Sequence, residues 1–181
     1  QSGINQLASG FFVYGPQTSL ILTTGKGAAA FLLDKEEFFK MEWEPNLPTK
    51  ASQFAINMSN MRFWSQSTHS YIQSCLNGTE GTFAKNYNMR WCGSLVADAW
   101  RIFREGGIFL YPEDKRDNYN EGRLRLVYEA NPLSFLVEQA GGRATDGTTD
   151  ILNIKPGSLH QRVPLIFGSE EEVIKYESVN K

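Results

Sequence analysis

Residues 121–142 change their hydrophobic period once, and this change constrains the fold more than any other feature. Residues 123–129 alternate in the pattern of a β-strand with two different faces. After Pro132 the apolar residues recur at helical spacing until the Gly141-Gly142 pair, a common helix stop. Proline suits the first helical turn because it has no N–H to leave unpaired. The stretch therefore predicts a strand that runs directly into a helix.

The predicted strand places Arg123, Arg125 and Glu129 on one face. It ends where a helix begins, and helix N-termini attract anions. Two guanidinium groups and one carboxylate at such a junction suit a site that holds a phosphate and a metal ion side by side. The alternative is a solvated surface strand, and this stretch alone does not separate the two interpretations.

The composition fits one domain with a hydrophobic core. The chain has 181 residues, of which 41% are hydrophobic and 21% charged, and its formal net charge is −2. This balance gives no electrostatic footprint for nucleic acid, and no apolar run approaches the ~18–20 residues of a membrane span. Cys75 and Cys92 follow no metal-ligand spacing and favour a reducing, cytoplasmic setting. Because the chain opens at Gln1 without an initiator Met, we expect it to be a fragment of a longer protein.

The first 58 residues predict a series of strands, because short apolar or β-branched runs alternate with turn residues. The runs are 10–15, 19–24, 28–33, 37–43 and 53–58. Strands this close together favour hairpins or a meander over βαβ crossovers. The Gly25-Lys26-Gly27 segment is interpreted as a hairpin turn, since the full P-loop pattern is absent.

The rest of the chain alternates predicted helices and strands. The predicted helices are 64–76, 94–104 with a cap from Gly93-Ser94, the one after Pro132, and 170–177; the predicted strands are 108–111, 143–146, 151–154 and 164–168. Residues 114–121 are predicted to form an exposed, charged loop. This alternation predicts a layered α/β/α domain with a mixed sheet.

Five sequence segments between residues 86 and 169 form a distinctive series of motifs. They are NYNMRWCGSLVADAWR (86–101), GGIFLYP (106–112), GRLRLVYEANP (122–132), FLVEQAGG (135–142) and LHQRVPLIFGS (159–169). Together they resemble the C-terminal half of class I fructose-1,6-bisphosphatases of the bacterial type. The opening ASGFFVYGPQTSLILTTGKG (8–27) resembles the strand region after that family's metal-binding segment. The chain also resembles, more weakly, the lithium-sensitive inositol phosphatases. This similarity rests on a glycine-serine helix start and on an acidic residue that opens a helix ending in AGG.

The resemblance implies a magnesium-dependent phosphatase that removes the 1-phosphate of fructose 1,6-bisphosphate in cytoplasmic carbohydrate metabolism, specifically gluconeogenesis. The family's Asp-Pro-Leu-Asp-Gly-Ser-Ser run, which holds most of the metal ions, does not occur in this sequence. Residues 1–181 would then be a single C-terminal domain that binds sugar and 6-phosphate, without the N-terminal metal-binding domain. We therefore expect this chain by itself to be inactive.

The resemblance also implies roles at the 6-phosphate. Asn57, Tyr111 and Arg123 would bind this phosphate, and Arg90 would reach it from a neighbouring subunit, which requires at least a dimer. Without the resemblance each has an ordinary explanation, such as a polar strand residue for Asn57 or a solvated surface side chain for Arg90. An inositol monophosphate would need no such clamp for a second phosphate.

Further roles concern the sugar and the metal. Gly93, Ser94 and Leu95 would lie against the sugar. Glu129 would be the catalytic, metal-ligating carboxylate of this half, and one carboxylate suits Mg²⁺ because that ion retains several waters. Arg125 is expected to orient carboxylates of the absent half.

The sequence departs from the family pattern at three places. Arg123 and Trp91 stand where many members have lysine and tyrosine, and Met58-Ser59-Asn60 replaces a usual Glu-Gly-Tyr. Asn60 is expected to substitute for that tyrosine through its amide. The departures leave open a preference for sedoheptulose 1,7-bisphosphate. A non-catalytic sugar-phosphate-binding or interaction module is a further alternative, because the main metal carboxylates are absent.

Overall fold

The computed structural model of this chain describes residues 1–179. Its strands are β1 (Ser9–Val13), β2 (Ser19–Thr23), β3 (Ala28–Asp34), β4 (Glu37–Lys40), β5 (Gln53–Ala55), β6 (Asn88–Met89), β7 (Ile108–Tyr111), β8 (Leu124–Arg125), β9 (Arg143–Thr145), β10 (Arg162–Val163) and β11 (Leu165–Gly168). Its α-helices are α1 (Gln66–Leu76), α2 (Leu95–Glu105), α3 (Asn131–Gln139) and α4 (Glu170–Val179). None of the helices in this described part is long and apolar enough to cross a membrane.

The first four strands form an antiparallel meander, as the sequence predicts. The order in the sheet is the order in the chain, so each pair is joined by a short turn. In the turn between β2 and β3 the Thr23 hydroxyl accepts from the Gly25 N–H and donates to the Gly27 carbonyl. Both glycines have positive φ, so the prediction of a hairpin turn here is confirmed.

The second sheet is mixed and has five strands in the order β6-β5-β7-β11-β9. β5 runs parallel to both β6 and β7, because a long excursion through α1 and a second one through α2 separate these strands in the chain. β11 is antiparallel to β7 and β9. A short pair of β8 and β10 lies beside this sheet as a separate two-stranded ribbon.

The two faces of the mixed sheet bury different helices. Ile108, Leu110 and Ile166 pack with residues of α1 and α4, whereas Phe109 and Phe167 pack with residues of α2 and α3. This period-2 alternation confirms the prediction of a layered α/β fold with a mixed sheet. The meander adds a further layer, because its inner face packs on the α2–α3 side of the core.

The predicted strand over residues 123–129 is wrong beyond Arg125. β8 ends there, and Leu126–Ala130 form a π-helical turn that continues into α3. Leu126 and Ala130 are buried, and this spacing of four belongs to the helical stripe of α3 rather than to one strand face. Pro132 lies in the first turn of α3, as predicted. Its ring crowds the carbonyl four residues back, and a wider π turn relieves that crowding.

Two other local predictions also differ from the structure, the second only in part. The predicted strand at 151–154 is a 3₁₀ turn, Ile151–Asn153, whose buried Ile151 and Leu152 are adjacent and therefore do not alternate. Ser94 occupies the N-cap position of α2, as predicted, but its side chain accepts no capping bond in the described structure. Instead the Asp98 carboxylate accepts from the N–H groups of Cys92 and Gly93 and pairs with Arg101 at 3.3 Å.

Candidate functional site

A cleft of about 370 Å³ lies where β7 and β8 end. Tyr111, Arg123, Leu124, Arg125, Tyr128 and Glu129 line it. The structure thus brings both predicted guanidinium groups, the predicted carboxylate and the predicted tyrosine to one place. They meet because the chain turns at Leu126 and folds Glu129 back over β8, not because they share one strand face.

Gly122 sets the position of the backbone from which the Arg123 side chain extends. Its φ is +81°, a value that favours glycine. A Cβ at this position would lie 2.2 Å from the backbone nitrogen of Pro164, so no other residue fits without moving the chain. The backbone that enters β8 is therefore held against β10.

The Arg123 guanidinium has donor capacity that the protein does not use. Its Nη1 lies 3.4 Å from the Tyr111 hydroxyl, and its Nη2 lies 3.4 Å from the Asp114 carboxylate. These are long hydrogen bonds. The Nε–H is buried and has no partner among residues 1–179. A guanidinium with unsatisfied donors is suited to an anion.

Asp114 pairs with Arg123, and the prediction that the loop 114–121 is exposed is wrong at this residue. The Asp114 side chain is only 3% exposed. Arg116 donates to both of its oxygens, with 2.9 Å between Nε and Oδ1. Hydrogen bonds from Arg116 hold the pKa of Asp114 below its usual value, against the opposing effect of burial, and Arg123 contributes in the same direction.

Asn60, which is expected to substitute for a phosphate-binding tyrosine through its amide, is buried. Its Oδ1 accepts from Nη2 of Arg116 at 3.0 Å. Asn60 is thus joined to Asp114 through Arg116. The Asn60 side chain lies outside the lining of the cleft beside Glu129.

Glu129 stands between two cavities. It lines the cleft beside Arg123 and also a second cavity of about 250 Å³, which Ser94 and Leu95 line as well. Its Oε2 accepts from the backbone N–H of Arg125 at 2.6 Å. The Arg125 guanidinium donates to the Arg123 carbonyl at 2.9 Å.

Gly93 opens the turn into α2 with φ of +83° and is exposed, while Ser94 and Leu95 start the helix. The wall that these two residues share with Glu129 is mostly apolar, since Phe11, Pro132, Leu133 and Leu136 complete it. Such a surface can pack against the carbon face of a sugar, which is amphipathic.

Asn57 and Arg90 lie outside the linings of both cavities. The Asn57 Oδ1 accepts from the N–H and hydroxyl of Ser59, which leaves its NH₂ group as a donor. Arg90 follows β6 on the surface, and its carbonyl accepts from Arg101. Its guanidinium makes no hydrogen bond or ion pair with residues 1–179, so it is available to another molecule.

The residues present fit a partial magnesium site and not a complete one. Within residues 1–179, no three His, Cys, Asp or Glu side chains are grouped as a metal cluster. Glu129 has one oxygen engaged by Arg125, and its other oxygen is left for a ligand. Mg²⁺ is six-coordinate and uses few protein carboxylates with water and substrate oxygens. Glu129 can therefore serve as one ligand among several.

Sequence reasoning missed four residues around the cleft. Asp114 and Tyr119 contact Arg123, Arg116 pairs with Asp114, and Tyr128 lines both cavities. The available signal was Tyr119, an aromatic residue within an otherwise charged and polar loop. Aromatic rings among arginines often mark stacked guanidinium groups rather than a solvated loop.

The fold and the cleft define a class of protein, namely a layered α/β domain with an arginine-lined pocket suited to an anionic ligand. A sequence model described as the C-terminal domain of fructose-1-6-bisphosphatase matches residues 47–181. The chain therefore belongs to the fructose-1,6-bisphosphatase family and corresponds to the C-terminal half of its class 1 members. The predicted resemblance is confirmed. The matched range begins after β4.

Individual relatives agree with this assignment. A class 1 fructose-1,6-bisphosphatase of Nitrobacter hamburgensis is 57% identical over 99% of this chain and 53% of its own length. One from Azorhizobium caulinodans is 52% identical over 96% of this chain and 53% of its own. A crystal structure of Leishmania major fructose-1,6-bisphosphatase in holo form has a TM-score of 0.93 at 37% identity and covers 99% of this chain and 55% of that one. The chain thus spans about half the length of the relatives it matches.

Proposed function

We propose that this chain is the substrate-binding half of a magnesium-dependent fructose-1,6-bisphosphatase in the cytoplasm. The full-length enzyme would hydrolyse the 1-phosphate of fructose 1,6-bisphosphate to give fructose 6-phosphate and phosphate. The observation that carries the proposal is the cleft that Tyr111, Arg123 and Glu129 share. In this cleft the N–H donors of Arg123 lie beside the Glu129 carboxylate, which supports a site for one phosphate next to a metal ion bound at the other phosphate.

The distal phosphate would be bound by groups whose donors are free. Arg123 keeps unused N–H groups, Asn57 keeps its NH₂ group, and Tyr111 presents a hydroxyl at the end of β7. Arg90 has a free guanidinium on the surface, which fits a contact made across to a neighbouring subunit of a homo-oligomer. Binding energy gathered at this remote phosphate would position the reacting phosphate.

At the reacting end, Glu129 would supply one ligand to Mg²⁺. The Arg125 N–H holds the carboxylate in place by one oxygen, so its direction is set before any metal binds. When bound, the metal would withdraw charge from the phosphoryl group and activate a water for attack. The sugar would lie between the two phosphates, against Ser94 and Leu95 in the adjoining cavity, with Gly93 beside it.

One carboxylate cannot hold the two or more ions that this chemistry uses. The remaining metal ligands would therefore come from the other half of a full-length enzyme. Arg125, which lines the same cleft and whose guanidinium donates to the Arg123 carbonyl, would support carboxylates of that half.

The direct test is to assay the full-length protein for phosphate release with and without Mg²⁺. We expect metal-dependent release from fructose 1,6-bisphosphate. Sedoheptulose 1,7-bisphosphate is the second substrate to test, because Trp91 and Asn60 stand where many members of the family have a tyrosine hydroxyl. If phosphate is released from sedoheptulose 1,7-bisphosphate alone, the proposed substrate is wrong and the proposed site stands. Release from neither, with sugar-phosphate binding intact, would instead support the non-catalytic binding module.

A further inference from the structure

We infer that Asp114 and Tyr119 are positioning residues that hold the Arg123 guanidinium at the wall of the cleft and thereby set the affinity for the distal phosphate. The inference rests on the proposed function, since it concerns the same phosphate site. It adds two residues that belong to neither the predicted site nor the lining of the cleft.

Arg123 is held chiefly by stacking. Its guanidinium carbon lies 3.6 Å from the centre of the Tyr119 ring, whereas both of its side-chain hydrogen bonds measure 3.4 Å. Hydrogen bonds of that length do little to fix a long, flexible side chain. A cation stacked face-on to a tyrosine ring is confined to one plane. Tyr119 therefore determines how the Arg123 fork lies.

Asp114 anchors two guanidinium groups but neutralises only one. Arg116 donates to both carboxylate oxygens, whereas Arg123 approaches Oδ2 alone at 3.4 Å. The cluster of the buried Asp114 and the partly exposed Arg116 and Arg123 thus holds two positive charges and one negative charge. The surplus positive charge lies on Arg123, whose contact is the looser one. A tight carboxylate pair would have used the Arg123 donors, so this arrangement positions the cation and leaves it able to bind an anion.

The same cluster connects Arg123 to Asn57. Arg116 stacks over Phe63 at 4.1 Å and donates to Asn60. Both of these residues belong to the 3₁₀ turn Met58–Phe63, which Asn57 caps. The backbone N–H of Lys115 also donates to the Phe63 carbonyl at 3.0 Å. Asp114 therefore fixes two proposed phosphate donors, Asn57 and Arg123, relative to each other.

The test is steady-state kinetics of variants in the full-length enzyme with fructose 1,6-bisphosphate. We expect Asp114→Asn and Tyr119→Leu each to raise KM about five- to tenfold, while kcat changes less than about twofold. Tyr119→Phe keeps the ring and should restore the wild-type KM. Asp117→Asn removes an exposed acid of the same loop and serves as the charge-matched control.

A double-mutant cycle separates positioning from a general structural effect. Arg123→Ala alone should raise KM, and adding Asp114→Asn to it should raise KM by a clearly smaller factor than Asp114→Asn does in the wild type, because only the effect through Asn57 remains. An Asp114→Asn effect of the same size without Arg123, or an equal loss in kcat, would overturn the inference. If Asp114→Asn does not fold, Tyr119→Leu and Tyr119→Phe are compared instead, each with Arg123 present and with Arg123→Ala. A KM effect of Tyr119→Leu of the same size in both cases would overturn the inference.

The cycle also distinguishes this inference from the proposed function. If Arg123→Ala raises KM while Asp114→Asn and Tyr119→Leu keep the wild-type value, the positioning role is wrong and the phosphate site stands. If Arg123→Ala itself leaves KM unchanged, the phosphate site is wrong, and the positioning role is wrong with it.

Discussion

The Glu129 carboxylate accepts a hydrogen bond from the backbone N–H of Arg125, with 2.6 Å between Oε2 and the nitrogen. The bond closes the π-helical turn Leu126–Ala130 onto the strand before it. It occupies one carboxylate oxygen and orients the other, which has no partner within residues 1–179. The same contact therefore serves the local fold and the proposed metal site.

These two roles are separable with Glu129→Gln in the full-length enzyme. The glutamine carbonyl oxygen can still accept from Arg125, so we expect the melting temperature to stay within about 2 °C of the wild type. The neutral amide is a poor magnesium ligand, so kcat should fall by about a hundredfold or more while KM changes little.

The matched control is Glu121→Gln, which removes an exposed acid eight residues earlier in the same segment. Its kcat and KM should equal those of the wild type. A Glu129→Gln enzyme with an unchanged turnover would remove Glu129 from the metal site. A large fall in melting temperature together with lost activity would point to folding as the cause.

Arg90→Ala should raise KM without abolishing chemistry, because the proposed contact is to the phosphate that does not react. Loss of one charged phosphate contact predicts a rise of about tenfold or more in KM. Lys26→Ala, in the exposed hairpin turn between β2 and β3, is a control for the general loss of positive charge. An Arg90→Ala enzyme with full affinity for the bisphosphate would exclude this assignment.

Complementation tests whether Arg90 acts across subunits. Arg90→Ala subunits have intact metal sites, and Glu129→Gln subunits have intact arginines. If Arg90 serves a neighbour's site, a mixed oligomer contains sites with both groups intact and recovers activity at low substrate concentration. If Arg90 serves its own site, no mixed oligomer contains such a site. The measurement is activity at substrate concentrations well below the KM of Arg90→Ala, before and after subunit exchange.

The fold was predictable where local patterns and tertiary packing agree. The meander follows from closely spaced apolar runs around glycine turns, and the faces of β7 and β11 follow from simple alternation of large side chains. The strand prediction failed at residues 123–129, because the apolar pattern of these seven residues fits both the period of a strand and the period of a helix. Only the packing of Leu126 and Ala130 into the core decides between them.

The candidate site was predictable only in part for a related reason. Arg123, Tyr111 and Glu129 lie in separate motifs, and the family resemblance named them without showing what holds them. Asp114 is buried and pairs with Arg116 and Arg123, and Arg123 in turn stacks on the Tyr119 ring. A run of charges in a loop carries no sign of that burial, since a solvated loop has the same composition.

The chain by itself should release no phosphate from fructose 1,6-bisphosphate, with or without Mg²⁺. The reason is that the described residues offer Glu129 and no cluster of metal ligands around it. The measurement is a coupled phosphate assay on the purified 181-residue chain, with the full-length enzyme as the positive control. Release above that of a Glu129→Gln chain would show that the other half is not needed for chemistry.

The last prediction concerns stability and rests on Glu172, a fully buried carboxylate that connects α4 to the sheet. Its Oε2 accepts from the Tyr87 hydroxyl at 2.6 Å, and its Oε1 accepts from Lys175 at 3.1 Å and from Lys85 and the Ala51 N–H at 3.3 Å. We expect Glu172→Gln to lower the free energy of unfolding at pH 7 by about 2–4 kcal/mol, because it leaves two lysines without their partner. Glu171→Gln is the matched control. Its pair with Lys50 is exposed and 3.6 Å long, so it should cost less than about 0.5 kcal/mol.

The difference between wild type and Glu172→Gln should shrink in acid. Burial alone would raise the pKa of Glu172, but the hydrogen bonds from Tyr87, Lys175 and Ala51 outweigh burial and lower it. A carboxyl whose folded pKa is depressed contributes stability that is fully present above its unfolded pKa of about 4.3, and that stability is lost as the pH falls through the folded pKa. Urea unfolding midpoints between pH 7 and pH 3 should therefore converge for the two proteins. A difference that stays constant down to pH 3 would mean that packing around Glu172, and not its charge, stabilises this part of the fold.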